Sequence, residues 1–177
     1  MAWRNTAESW GSLSRVIHWL MALSVLGMLG FGFYIANLMK FTLDTLWVYQ
    51  IHKSIGVTLL VLVMVRIVWH RISPPPQPIP STPLQDFAAR VVHLAIYVLL
   101  LAIPLTGWIA SAASDIDTVI WGFTVPRIAP ISEDLEHLMF EAHEILTRIL
   151  MGLLVLHIGG ALTHRGVLKR MIIGRTA

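Results

Sequence analysis

The chain reads as four long apolar stretches separated by short polar ones. They lie near residues 13–36, 52–69, 88–112 and 140–162. Each is close to the roughly 20 residues a helix needs to cross the hydrocarbon core of a bilayer. The pattern predicts an all-α protein, an integral membrane four-helix bundle, as a single transmembrane domain over 1–177. The first stretch exceeds the 7–15-residue core of a signal peptide. It also opens with His18 and Trp19 in place of a basic segment, so it is expected to be a retained span.

Between the second and third stretches, Ser73 to Pro83 holds six of the nine prolines. An extended, polyproline-like connector without helix is expected there. Pro104 falls inside the third stretch, where it should kink the helix near Ala102 to Gly107.

Composition sharpens this picture. Hydrophobic residues make up 56% of the 177 and charged ones 13%, about half the charged share of an ordinary soluble domain. The absence of cysteine removes disulfides, thiolate metal sites, iron–sulfur clusters and covalent haem attachment together. Any metal or cofactor must then be held by histidine, carboxylate or backbone. The net charge of +3 gives no reason to invoke nucleic acid, because the basic residues flank the spans. Arg4, Arg15, Arg66, Arg71, Arg90, Arg165, Lys169, Arg170 and Arg175 fall on the side of the termini and the proline-rich connector. Asp44, Asp115, Asp117, Glu133, Asp134, Glu136, Glu141 and Glu144 fall on the other. By the positive-inside rule, the N and C termini are expected to be cytoplasmic.

Eight histidines are many for a membrane protein, since a polar group at bilayer depth needs a partner or a function. By position, His18 and His157 lie near the cytoplasmic ends of spans one and four. His52 and His143 lie near the outer ends of spans two and four. His143 and His157 are fourteen residues apart, about 21 Å of rise and within about 40° of one helix face. Two bis-histidine sites stacked across the bilayer follow, and axial imidazoles are a common way to hold haem iron. A single histidine at a span end is ordinary; four at matched depths are not. Gly27, Gly30, Gly32, Gly56, Gly152, Gly159 and Gly160 either make room for a macrocycle or serve close helix packing. His93 is an interfacial histidine, an alternative ligand, or a quinone or propionate partner, and His70, His137 and His164 are expected to be solvated. Arg66 and Arg148 are candidates to pair with haem propionates or to snorkel to headgroups. Trp19, Trp47, Trp69 and Trp121 are expected in an aromatic belt.

Taken together, Ile17-His18-Trp19, the run His52 to Gly56 with Arg66, the prolines from Pro74, His93 to Tyr97 with Pro104 and Gly107, and His143-Glu144 with His157 resemble the bacterial cytochrome b561 family. The resemblance spans nearly the whole chain. It implies two haem b groups, one on His18 and His157 and the other on His52 and His143. It also implies electron transfer in the bacterial inner membrane, with superoxide oxidised and ubiquinone of the quinone pool reduced. The acidic outer loops would repel superoxide unless Lys53, Arg127 or Lys40 forms a local positive funnel. Two alternatives stay open: a quinol-linked cytochrome b anchor subunit serving a redox protein partner, and a histidine-based metal or proton transporter.

Overall fold

The computed structural model describes residues 2–174, so Arg175 lies outside the described residues. Four helices are long and apolar enough to cross a membrane: α1 (Ser12–Asn37), α2 (Leu46–Ile72), α3 (Pro83–Ala113) and α4 (Glu133–Thr163). A 3-10 turn (Leu43–Thr45) precedes α2. A two-stranded hairpin, β1 (Val119–Ile120) and β2 (Phe123–Thr124), lies between α3 and α4, and α5 (Arg165–Ile173) closes the chain. The fold is the four-helix membrane bundle expected from the hydropathy pattern.

Each helix outruns its apolar stretch, and at the starts of α3 and α4 capping residues rather than hydropathy set the end. The Thr82 hydroxyl accepts from the Gln85 N–H, and the Gln85 side chain accepts in return from the Thr82 N–H. This reciprocal cap, with Pro83 at the first helical position, starts α3. The proline-rich connector is therefore extended only as far as Thr82. Ser132 caps α4, and Glu133, Asp134 and Glu136 in its first turn complement the helix dipole. Helix α3 runs through Pro104 without interruption.

Helix α2 packs on α1 and on α3, and α3 packs extensively along α4. No packing of comparable extent joins α4 to α1 or α2 among the described residues. At mid-bundle Val25, Leu99 and Leu150 are buried together, supported by Leu59 and Leu154. Leu23, Val61, Val98 and Val155 are more than half exposed, as suits helix faces solvated by lipid.

Hydrogen bonds fasten both ends of the bundle. On the terminal face, the Asn5 amide oxygen accepts from the Ser14 hydroxyl (2.7 Å) and the Gly11 N–H (2.9 Å). The Asn5 side-chain amide donates to the Ser73 carbonyl at 2.8 Å. Trp69 donates its indole N–H to Ser14 Oγ at 2.7 Å and is buried. This tryptophan therefore belongs to the core and not to an interfacial belt. Helix α5 is docked by Arg15 and Trp19, which donate to the carbonyls of Ile172 and Met171. On the opposite face, Gln50 bonds the Asp117 carbonyl and the Val119 N–H. The hairpin turns at Trp121 and Gly122, whose φ values of 51° and 87° are both positive. That conformation costs a tryptophan more than a glycine. It is held by bonds from the Trp121 N–H to Ser54 Oγ and from its indole to Thr58 Oγ1, both 2.9 Å.

Ser14 is fully buried and joins Trp69 to Asn5. Ser14→Ala leaves the indole N–H and the Asn5 oxygen short of partners, so a loss of about 1–3 kcal/mol is expected, read as a lower thermal unfolding midpoint in detergent. An unchanged midpoint would show that the terminal face does not depend on this link.

Candidate haem-binding site

Helix periodicity directs four imidazoles of α1, α2 and α4 into the seam between α4 and the other two. The His18 and His157 ring centres are 6.3 Å apart, and those of His52 and His143 are also 6.3 Å apart. All four rings are half-buried. An imidazole–metal bond of about 2 Å on each side of one iron, with each ring centre about 1 Å behind its nitrogen, separates the centres by about 6 Å. The 6.3 Å spacing of each pair is therefore one that would let both imidazoles hold one iron between them. No cluster of three or more histidine, cysteine or carboxylate side chains suited to a bare metal ion occurs among the described residues. Two nitrogen donors alone fit a group that brings its own equatorial ligands.

His143 is the most firmly oriented of the four. Its Nδ1 lies 2.8 Å from the Ile103 carbonyl, a bond in which the imidazole N–H donates and Nε2 keeps its lone pair. The approach depends on Gly107, where a Cβ would stand 3.0 Å from His143 Nδ1. His52 packs against Phe31, and its Nδ1 is buried without a partner. A Cβ on Gly32 would lie 3.5 Å from His52 Cε1. Gly32 follows His18 by fourteen residues, so it opens on the same face of α1 at the level of the second pair.

Several residues sit differently from expectation. His93 is no isolated interfacial residue: its ring centre is 5.1 Å from that of His157. This is closer than one iron between two imidazoles allows, so His93 flanks the pair as a contact of His157. His70 is not solvated, because it packs between Trp10 and Tyr97. Arg66 does not snorkel. It is 7% exposed, donates from Nε to the Tyr97 hydroxyl at 2.8 Å, and lies in electrostatic range of His18, His93 and His157. No carboxylate pairs with it among the described residues.

Arg148 is not brought to His143. Five residues turn it about 140° round the helix, and it pairs instead with Glu144 on the exposed side. Gly152 and Gly159 lie on that outward side too, with nothing within 4 Å of a built Cβ, so they make no room for a macrocycle. Of the three cations expected to draw in an anion, Arg127 is tied to Asp117 at 3.2 Å and Asp115 at 4.0 Å. Lys53, beside His52, is half-buried with Glu136 nearby, and Lys40 is exposed.

Residues 9–174 match the family described as prokaryotic cytochrome b561. The chain belongs to the prokaryotic cytochrome b561 family. Cytochrome b561 homolog 2 of Escherichia coli (strain K12) is 39% identical over 128 residues, 71% of this chain and 68% of the relative. Cytochrome b561 homolog 1 of the same organism is 34% identical over 122 residues, 68% of this chain and 69% of the relative. Probable superoxide oxidase CybB of Yersinia pestis is 31% identical over 124 residues, 70% of each chain. Cytochromes b561 bind haem b, and this one is a multi-pass protein of the bacterial inner membrane with an electron-transfer role.

Gly107→Ala puts a methyl group against His143 and displaces its ring from the Ile103 carbonyl. Purified protein is expected to carry less haem per chain while its helical circular dichroism is unchanged. Full haem retention would show that the oriented His143 is not needed.

Proposed function

We propose that this cytochrome binds two haem b groups, one between His18 and His157 near the terminal face and one between His52 and His143 near the hairpin face. The observation that carries this reading is the equal 6.3 Å spacing of two imidazole pairs built on a single face of α4. Bound haem supplies one-electron exchange at iron. The four histidines would hold the groups, with the tautomer of His143 fixed by the Ile103 carbonyl, and Val25, Leu99 and Leu150 form an apolar layer between the two sites. Leu150 lies seven residues from each histidine of α4.

Arg66 is the residue for an anionic substituent of the haem near the terminal face. A buried guanidinium without a carboxylate is costly; Tyr97 fixes its direction through Nε, Nη1 makes a long 3.5 Å bond to the Ser14 carbonyl, and Nη2 is the nitrogen best placed to receive an anion. Its charge also bears on potential. A cation beside the site favours the electron-rich reduced state, so Arg66→Leu should lower the midpoint potential of one haem. Potentiometric titration checks this, and two unshifted potentials would remove Arg66 from the site.

The termini face the cytoplasm in this reading, in keeping with the basic residues gathered on the terminal face. The reaction is superoxide oxidation to dioxygen at the hairpin face coupled to ubiquinone reduction, with two superoxide ions consumed and two protons taken up from water per ubiquinol formed. The similarity to Probable superoxide oxidase CybB supports this substrate, and Lys53 beside His52 offers the local positive charge. Supplying superoxide enzymatically to the purified protein with ubiquinone should yield ubiquinol at half the superoxide consumed. His143→Ala should abolish that yield. Haem-replete protein that forms no ubiquinol would refute the superoxide reaction and leave a cytochrome fed by another donor.

A further inference from the structure

The outward face of α4 carries charge where lipid would otherwise lie. Arg148 lies one turn, about 6 Å, deeper than Glu144 and inside the run that begins at Ile145. Taking the His143 and His157 direction as inward, Arg148 points about 160° away from it. The side chains of Arg148 and Glu144 are 68% and 59% exposed, and they pair with each other. An ion pair on a lipid-facing surface at this depth is costly, and such residues nearly always face protein or a water-filled cavity.

The same face continues as Arg148, Gly152, Val155, Gly159 and Leu162, a spacing of four, three, four and three residues that forms one stripe down the helix. Gly152 and Gly159 have nothing within 4 Å of a built Cβ, and Val155 and Leu162 are 71% and 59% exposed. Notches beside apolar ridges are the form of a close helix–helix seam in membranes.

We propose that this face is covered by α4 of a second copy of the chain, related by a two-fold axis along the membrane normal. The observation that selects a second copy is self-complementarity. Two copies inserted the same way meet at equal depth, so each Arg148 reaches Glu144 of the other copy one turn away. The two pairs then close into a square in which each charge has two opposite neighbours. Below that square, the open glycines receive the ridges of Val155 and Leu162.

The chain has no cysteine, so single cysteines report proximity directly. In native membranes, Val155→Cys is expected to give an oxidative cross-linked product of twice the 19.8 kDa chain. Its yield should be at least tenfold that of Leu23→Cys, which is 68% exposed on α1. Adding Arg148→Glu should cut the yield severalfold, and adding Glu144→Arg as well should restore it, with haem absorbance retained throughout. Cross-linking no greater than at Leu23→Cys in haem-replete protein, or a product with the mass of a different partner, would overturn the proposal. The unsubstituted protein in lipid nanodiscs gives a second answer: two chains per particle are expected, and one chain per particle contradicts it.

Discussion

An imidazole at bilayer depth cannot be left bare without loss, and α4 carries two of them on one face. Because they stand fourteen residues apart, whatever satisfies them must do so at two levels about 21 Å apart along the helix. That requirement shapes the bundle. Helix α4 packs along α3, yet across from α1 and α2 it is met chiefly by the imidazole pairs and the apolar layer around Leu150. Close packing of α4 onto α1 and α2 would collapse both histidine pairs. The extensive α3–α4 contact and the hydrogen bonds at both ends of the bundle keep α4 at the distance a haem-binding cytochrome requires.

The two pairs are not equivalent. Near the hairpin face, orientation comes from backbone: the Ile103 carbonyl and the missing Cβ of Gly107 fix His143. Near the terminal face it comes from charge and aromatic contact, with His93 against His157 and Arg66 held by Tyr97. One site is thus set by geometry and the other sits in a positive field. Haem potentials respond to nearby charge and hydrogen bonding, so with one haem at each pair, as proposed, this asymmetry would set the two potentials apart and give electron transfer a direction.

The spans and the depth matching of His18 with His157 and His52 with His143 were legible because each rests on a one-dimensional period: hydropathy over some 20 residues, and fourteen residues as four nearly complete turns. What depended on packing between helices was not legible. That Arg66 would be buried against Tyr97 follows from how α2 meets α3, and His93 comes to His157 only once α3 and α4 are paired. Trp69 resembles an interfacial aromatic until Ser14 and Asn5 arrive from the N-terminal segment. The position of Arg148 was available from the helical angle, since five residues turn a side chain well away from His143. Nearness in sequence was the misleading signal there.

The proposed function rests on two imidazole pairs that each hold one haem b. The most direct measurement is the haem-to-protein ratio from reduced-minus-oxidised absorption spectra of the unsubstituted protein and of the variants His18→Ala, His52→Ala, His93→Ala and His52→Ala/His143→Ala. Two haem b groups per chain are predicted for the unsubstituted protein. His18→Ala and His52→Ala should each lose one, the double variant no more than His52→Ala alone, and His93→Ala none. A single haem in the unsubstituted protein, or a loss in His93→Ala equal to that in His18→Ala, would rule out two haems held by these pairs.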